Sequence, residues 1–245
     1  MSVILIITPF RNEEHSIPQY LESLLAVDYP PELIDVYWLE NDSSDRTLSM
    51  LKDAKPFMPF NSVVLESAGF IGPVKKKPPG DYVKDIPYGQ RRVAPWIRIW
   101  REHFMPQIRK SRADYVLAWY ADSVSPTNVI REYLKVYDEK NDAGWVGGAI
   151  HRRYPRQNEL HCPSPVKYAY SKKVVRVKYI GHVWMMPRAA VSDCEFGYDP
   201  REMHFTLIDC LERSGLYVYY QPSVFLKHVS TDGKIYKHRL GAPFE

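Results

Sequence analysis

Apolar and polar positions come in blocks along the first third of the chain. Val3 to Ile7 are apolar without a break, which fits a strand buried on both faces. Thr8 and Pro9 end it, and Phe10-Arg11-Asn12-Glu13-Glu14 follows as a polar loop. Ser16 opens a helical pattern over Ile17 to Ala26, with Gln19 placed for a capping box and Tyr20, Leu21, Leu24 and Leu25 at helical spacing. Ile34 to Leu39 is a second strand ending in a polar cluster from Glu40 to Asp45. Arg46 to Lys55 reads as a short helix capped by Ser43 or Ser44, and Ser62 to Glu66 as a third strand. Strand, helix, strand, helix, strand is a βαβ series with right-handed crossovers and parallel strands.

The pattern then loosens. Ser67 to Pro87, rich in Gly and Pro, reads as a long exposed loop. Its Lys75, Lys76 and Lys77 are first a solvated charge run and second a contact for a diphosphate or an anionic surface. Tyr88 to Lys110 is helical, with Val93, Trp96, Ile97 and Trp100 on one face and Arg91 and Arg92 near its start. Tyr115 to Tyr120 is a fourth strand, followed at once by Ala121-Asp122-Ser123. Ser125 and Pro126 read as the cap and first position of a helix running to about Asn141. Gly144 to Ile150 is a glycine-rich strand or turn where a ligand could approach the backbone.

From His151 the chain is more basic. Val166 to Ile180 suits one or two strands, Gly181 to Met186 another, and Ala189 to Cys194 a short helix. Phe205 to Arg213 is helical and ends at Gly215. Tyr217 to Tyr220 and Ser223 to Lys227 read as two strands split by Gln221-Pro222, before a basic tail. With no repeat and no clear linker, residues 1–245 read as a single domain with a nucleotide-type N-terminal half and a mixed C-terminal half.

Composition narrows the partners. A net charge of +4 over 245 residues suits phosphate-bearing ligands, and the scattered basic residues do not make a nucleic-acid surface. Cys162, Cys194 and Cys210 have no metal spacing and cannot all pair, so they read as buried free thiols in a reducing compartment. No apolar run has membrane-spanning length, which leaves peripheral membrane contact open. Met1 to Ile7 lacks the features of a signal peptide, and a cytoplasmic location is expected.

The polar ends of the parallel strands, Arg11 to Glu14, Glu40-Asn41-Asp42 and Tyr120-Ala121-Asp122, fall on one sheet edge, where an open α/β sheet binds its ligand. Carboxylates and amides there suit a base, a ribose and a metal-held diphosphate. TPFRNEE followed by WLENDSSDRTLSML resembles the opening of a GT-A glycosyltransferase of family 2 type. Pro9, Asn12, Glu13 and Glu14 match the first motif of that family, and Glu40, Asn41, Ser43, Asp45 and Thr47 the second. YADSVSP resembles the D-x-D segment, GHVWMMPRAA the acceptor-side segment, and VYYQPSVFLKHV the closing strand with its terminal His.

The resemblance implies an α/β GT-A (Rossmann-like) single domain, a mostly parallel central sheet flanked by helices with a smaller mixed C-terminal region. It makes residues 1–125 the nucleotide-sugar half and 126–245 the acceptor half. It implies transfer of a sugar from a UDP- or GDP-sugar to a hydroxyl of a glycan, lipid-linked or protein-linked acceptor, with inversion and with Mn2+ or Mg2+. Pro9, Arg11, Asn12, Glu13, Glu40, Asn41, Arg91, Arg92 and Asp122 would hold the donor, and Asp122 and His228 the metal. The chain departs from the family pattern at Tyr120, in place of the first Asp of D-x-D, and at Asn41, in place of an Asp. The family's Glu-Asp pair with the catalytic base falls at Met203-His204, with Asp199 and Glu202 nearby. Glu202 is the chemically ordinary base and His204 the one in register. A non-catalytic sugar-nucleotide or glycan-binding protein on the same fold is the alternative. A nucleotidyltransferase would want a glycine-rich loop after the first strand, and TPFRNEE has no glycine.

Overall fold

The computed structural model describes residues 1–69, 94–150, 173–197, 204–230 and 233. Strands β1 (Ile4–Phe10), β2 (Ile34–Asn41), β3 (Ser62–Ala68) and β4 (Tyr115–Trp119) form the parallel part of the sheet, in the order β3-β2-β1-β4. Helices α1 (Ile17–Leu25) and α2 (Thr47–Ala54) make the first two crossovers. The third is a continuous helical stretch, α3 (Ala94–Arg98), a π turn (Ile99–Phe104) and α4 (Met105–Lys110). Pro106 has no N–H to give to an unbroken α-helix, and the hydrogen-bond register widens into the π turn directly before α4.

The sheet continues as β4-β8-β6-β9-β5, with β7 on β9. These strands are β5 (Ser123–Val124), β6 (Ala143–Ile150), β7 (Val175–Val177), β8 (Val183–Pro187) and β9 (Tyr217–His228). β8 is antiparallel to β4 and β6, β6 and β9 are parallel, and β5 and β7 run antiparallel to β9. The remaining helices are α5 (Val129–Glu139), α6 (Arg188–Ser192) and α7 (Phe205–Arg213). A parallel sheet leading into a mixed C-terminal region is the expected fold class.

Alternation along β1 explains the core. Ile4 and Ile6 belong to one buried cluster with Tyr20, Trp38 and Trp119, while Leu5 and Ile7 belong to a second with Trp100, Trp145 and Trp184. Neither face of β1 meets solvent, which is why its sequence is unbroken apolar rather than alternating. β1 also runs beyond its expected end. Its ladder with β4 stops at Ile7–Ala118, whereas the ladder with β2 continues to Phe10–Glu40. Pro9 is tolerated because one side of the strand has no ladder left there.

Several local expectations are corrected. Ser16 does not cap α1 as a box: its hydroxyl donates to the Glu13 carbonyl and carboxylate, and Gln19 Nε2 donates to the Gly233 carbonyl. Asp45, rather than Ser43 or Ser44, meets the start of α2, accepting the Thr47 N–H at 2.9 Å. Helix α5 starts after Asn128 and Ser125 does not cap it: its Oγ meets no backbone N–H, and its own N–H goes to Ser23 Oγ at 2.9 Å. Gln221-Pro222 does not split the last strand. β9 runs through it and absorbs the extra residues as an irregularity against Gly147 and Ala149 of β6. The glycines of β6 make room for protein rather than ligand. A Cβ on Gly147 would lie 2.6 Å from Ile180 Cγ2, and one on Gly148 2.4 Å from the Val224 carbonyl oxygen. The free-thiol reading fails at two cysteines, since Cys194 and Cys210 form a disulfide between the end of α6 and α7. The lysine run, Arg91, Arg92, Cys162, Asp199, Glu202 and most of the basic tail lie outside the described residues.

Candidate functional site

The C-terminal ends of β1, β2 and β4 share one edge, and the chain crosses from one side of β1 to the other there, the switch point where open α/β sheets form a crevice. The first two polar loops are tied to each other. Asn12, in the left-handed region at φ 53°, accepts the Ser44 N–H at 2.9 Å through Oδ1 and donates its own N–H to Ser43 Oγ at 3.0 Å. Glu13 donates its N–H to Thr47 Oγ1 at 2.8 Å, and Glu14 its N–H to Asp45 Oδ2 at 3.1 Å. Glu40, 1% exposed, accepts the Ser43 N–H and the Ser67 hydroxyl on its two oxygens. Burial pushes the Asp45 carboxyl up, but hydrogen bonds from the Thr47 side chain and from the amides of Thr47, Glu14 and Asp45 outweigh it, leaving the group below its ordinary value. Much of the two motifs thus builds the loops.

What these loops enclose is a cavity of about 330 Å3. Pro9, Phe10, Arg11 and Glu13 line it from β1 and its loop, Asn41 from β2, and Pro95, Trp96 and Ile99 from the α3 segment. Asn12 and Glu40 brace the wall without lining it. Phe10, Pro95, Trp96 and Ile99 were not expected there. Trp96 has the spacing of an apolar helix face in the sequence, and the return of that helix over the strand ends brings it to the cavity.

Beside the cavity lies a cluster of potential metal ligands. Asp122, on the turn after β4, His182, before β8, and His228, at the end of β9, bring one ligand atom each within 4.8 Å of one another. His228 Nε2 is 3.0 Å from Asp122 Oδ2, and its Nδ1 is buried without a hydrogen-bond partner. The turn is held by the Ser123 N–H on the Tyr120 carbonyl and by the Val229 N–H on the Asp122 carbonyl. Asp122 and His228 are the expected pair, and His182 is an addition to it. The hint was available in Gly181-His182 directly ahead of an apolar strand.

Tyr120 links the two parts. Its ring centroid is 5.3 Å from that of Trp96 and 5.8 Å from that of His182. Its hydroxyl lies 3.2 Å from His204 Nε2, and the Tyr179 hydroxyl lies 3.0 Å from His204 Nδ1. His204 is 2% exposed and stacks on Tyr179, with Trp145, Trp184 and Phe196 around its ring. In a neutral imidazole one nitrogen donates and the other accepts, and the two hydroxyls can satisfy both.

Residues 5–72 match the family described as Glycosyl transferase family 2. Among curated proteins no sequence matches the chain. Among solved structures, it is similar to S. aureus TarS 1-349 in complex with UDP, at 14% identity and a TM-score of 0.57 over 89% of this chain and 60% of that one. The same TarS segment in complex with UDP-GlcNAc is similar at 15% identity and a TM-score of 0.54, over 89% of this chain and 58% of that one. The mannosyltransferase PcManGT from Pyrobaculum calidifontis, in complex with GDP-Man and Mn2+, is similar at 15% identity and a TM-score of 0.57, over 92% of this chain and 56% of that one. The chain therefore spans about 60% or less of the length of these structures. Residues 5–72 thus carry a match to glycosyl transferase family 2, and the chain shares the fold of these solved structures.

Proposed function

We propose that this edge binds a nucleoside diphosphate sugar and transfers the sugar to an acceptor hydroxyl with inversion. The observation that carries the reading is the junction of cavity and ligand cluster through Trp96 and Tyr120. A cavity with an amide and an aromatic wall suits a base and ribose, and a carboxylate–imidazole cluster beside it suits a diphosphate. Asn41 offers a donor and an acceptor to a base edge. Trp96 and Arg11 offer planar faces for stacking. That TarS structures hold UDP or UDP-GlcNAc, and PcManGT GDP-Man with Mn2+, supports a UDP- or GDP-sugar donor here.

Asp122 and His228 would hold Mn2+ or Mg2+. A carboxylate oxygen 3.0 Å from an imidazole nitrogen fits such an ion. When bound, it offsets the negative charge that grows on the leaving diphosphate. Arg91 and Arg92 are proposed for the same phosphate oxygens. Glu202, with Asp199 as its neighbour, is proposed to take the acceptor proton. The freed oxygen attacks the anomeric carbon from the face opposite the diphosphate, the sugar–phosphate C–O bond breaks, and its electrons leave with the diphosphate. His204, buried between two tyrosine hydroxyls, is proposed to position Tyr120 rather than to accept the proton.

Residues 126–245 are proposed as the acceptor half, for a glycan, lipid-linked or protein-linked hydroxyl. Among the described residues no helix is long and apolar enough to cross a membrane. A cytoplasmic location is proposed. The Cys194–Cys210 disulfide weighs against it, because such bonds are rare in reducing compartments. A binding protein without turnover is the second reading, favoured by Tyr120 at the D-x-D position and by His204 engaged on both nitrogens. A thermal-shift screen of nucleoside diphosphates tests the first point, since ligands raise stability by mass action. A shift with one nucleotide that needs Mn2+ and disappears in Asp122→Ala is expected. No shift with any nucleotide would remove the proposal.

A further inference from the structure

We infer that His182 is a third protein ligand at the cation site, and that the resulting two-histidine, one-carboxylate set selects a first-row transition ion such as Mn2+ or Co2+ over Mg2+ and Ca2+. This deepens the donor-edge reading and rests on it only for the use of the ion. Tyr120 removes the carboxylate that a D-x-D pair would supply, and with it a hard oxygen donor. In space, an imidazole stands beside the remaining carboxylate: His182 joins Asp122 and His228 with ligand atoms within 4.8 Å of one another. Neighbouring donors bound to one small ion at roughly 2.0–2.2 Å lie about 3–3.5 Å apart, so the three side chains close in on the ion when it binds.

The placement of His182 is built into the fold. It is held in the left-handed region at φ 74°, where few non-glycine residues sit. A Cβ on Gly181 before it would lie 2.8 Å from the Tyr179 hydroxyl, so a side chain there would displace the group that meets His204 Nδ1. Val183 after it enters β8, whose pairing to β4 fixes the direction in which the chain leaves. The ring makes edge contacts with those of Tyr120 and His228, at centroid distances of 5.8 and 5.9 Å. The three ligands thus come from the turn after β4, the residue just ahead of β8 and the last residue of β9. Mg2+ and Ca2+ prefer oxygen ligands, whereas imidazole nitrogens raise affinity along the transition series. Three protein donors also hold an ion before any nucleotide arrives. A site resting on Asp122 alone would wait for the diphosphate.

The test uses Mn2+ alone on the full chain, followed by loss of the free-ion EPR signal, with no nucleotide present. Binding of Mn2+ at one site per chain is expected. His182→Ala should weaken it at least about tenfold, the lower end of what loss of even an outer-shell partner costs. His182→Gln, which keeps a polar side chain, and a thermal melt of both variants separate ligand loss from misfolding. Mg2+ in tenfold excess should leave Mn2+ bound to the wild type. Tyr120→Asp, which restores a carboxylate, should let Mg2+ compete. Unchanged Mn2+ affinity in folded His182 variants, displacement by equal Mg2+, or no binding without nucleotide would each overturn the inference. Because no sugar donor enters the measurement, a failure of the transferase reading leaves this result standing, and the converse also holds.

Discussion

Substituting glutamine for His204 breaks a buried network at its centre. The two ring nitrogens lie 3.2 and 3.0 Å from the hydroxyls of Tyr120 and Tyr179, and the residue is 2% exposed. Two side-chain hydrogen bonds contribute a net ~1 kcal/mol each. Loss of the ring from the setting of Tyr179, Trp145, Trp184 and Phe196 costs about 1 kcal/mol more. His204→Gln should therefore lose about 3 kcal/mol of stability, which for a chain of this size lowers Tm by roughly 6–12 °C. A positioning residue and a base differ in rate. Loss of a general base costs about 10²–10⁴ in turnover, whereas a loosened Tyr120 should cost less than about tenfold. The assay is release of nucleoside diphosphate from donor across pH, beside a thermal melt. The acid limb of the wild-type profile should fall in the carboxylate range and persist in the variant. A loss above about a hundredfold at unchanged stability, with disappearance of a limb near the ordinary histidine value of about 6.5, would refute the positioning role.

Further outcomes follow from particular contacts. Trp96→Ala should weaken nucleotide binding by about 1–3 kcal/mol, the worth of one base–aromatic stack, as read by calorimetry; an unchanged Kd would remove Trp96 from the base site. Reducing the Cys194–Cys210 bond, which spans 16 residues, should cost about 3 kcal/mol. Identical denaturation curves with and without reductant would contradict this. The hydrogen bonds that lower the Asp45 carboxyl are worth most while it is ionised in both folded and unfolded chains. Its contribution is complete above the ordinary carboxylate range and is lost as pH falls through the lowered folded value. Asp45→Asn should thus be less stable than the wild type near neutral pH and converge with it in acid, as followed by urea denaturation. A difference that grows on acidification would reverse the assignment.

The sequence carried the parallel half of the fold well, because β1 and β4 are unbroken apolar runs and β1, β2 and β4 each close on a polar cluster. Helix α7 was legible to the residue from Leu207, Ile208 and Leu211 at helical spacing. Where local chemistry misled, a distant partner had taken the group in question. Ser125 has the side chain of a cap, yet its Oγ meets no helix N–H and Ser23 anchors its backbone elsewhere, while Gln221-Pro222 resembles a break but gains a β6 ladder on either side of it. The site divided in the same way. Pro9, Arg11, Glu13, Asn41 and Asp122 follow from strand ends, which sequence order reveals. Trp96 and His182 come from a helix return and a later strand, so only three-dimensional closure brings them in. Motif matching also blurred two tasks, since Asn12 and Glu40 hold the loops together while their neighbours line the cavity.

The central claim is that this edge turns over a sugar donor rather than only binding it. The direct measurement is nucleoside diphosphate release from UDP- and GDP-sugars by the full chain, with Mn2+ and after its removal by a chelator, in the wild type and Asp122→Ala. Slow release from one donor class, stimulated by Mn2+ and lost in the variant, is the predicted result. Tight donor binding with no release above the uncatalysed rate, with or without added glycan acceptors, would contradict the account and leave a binding protein on a transferase fold.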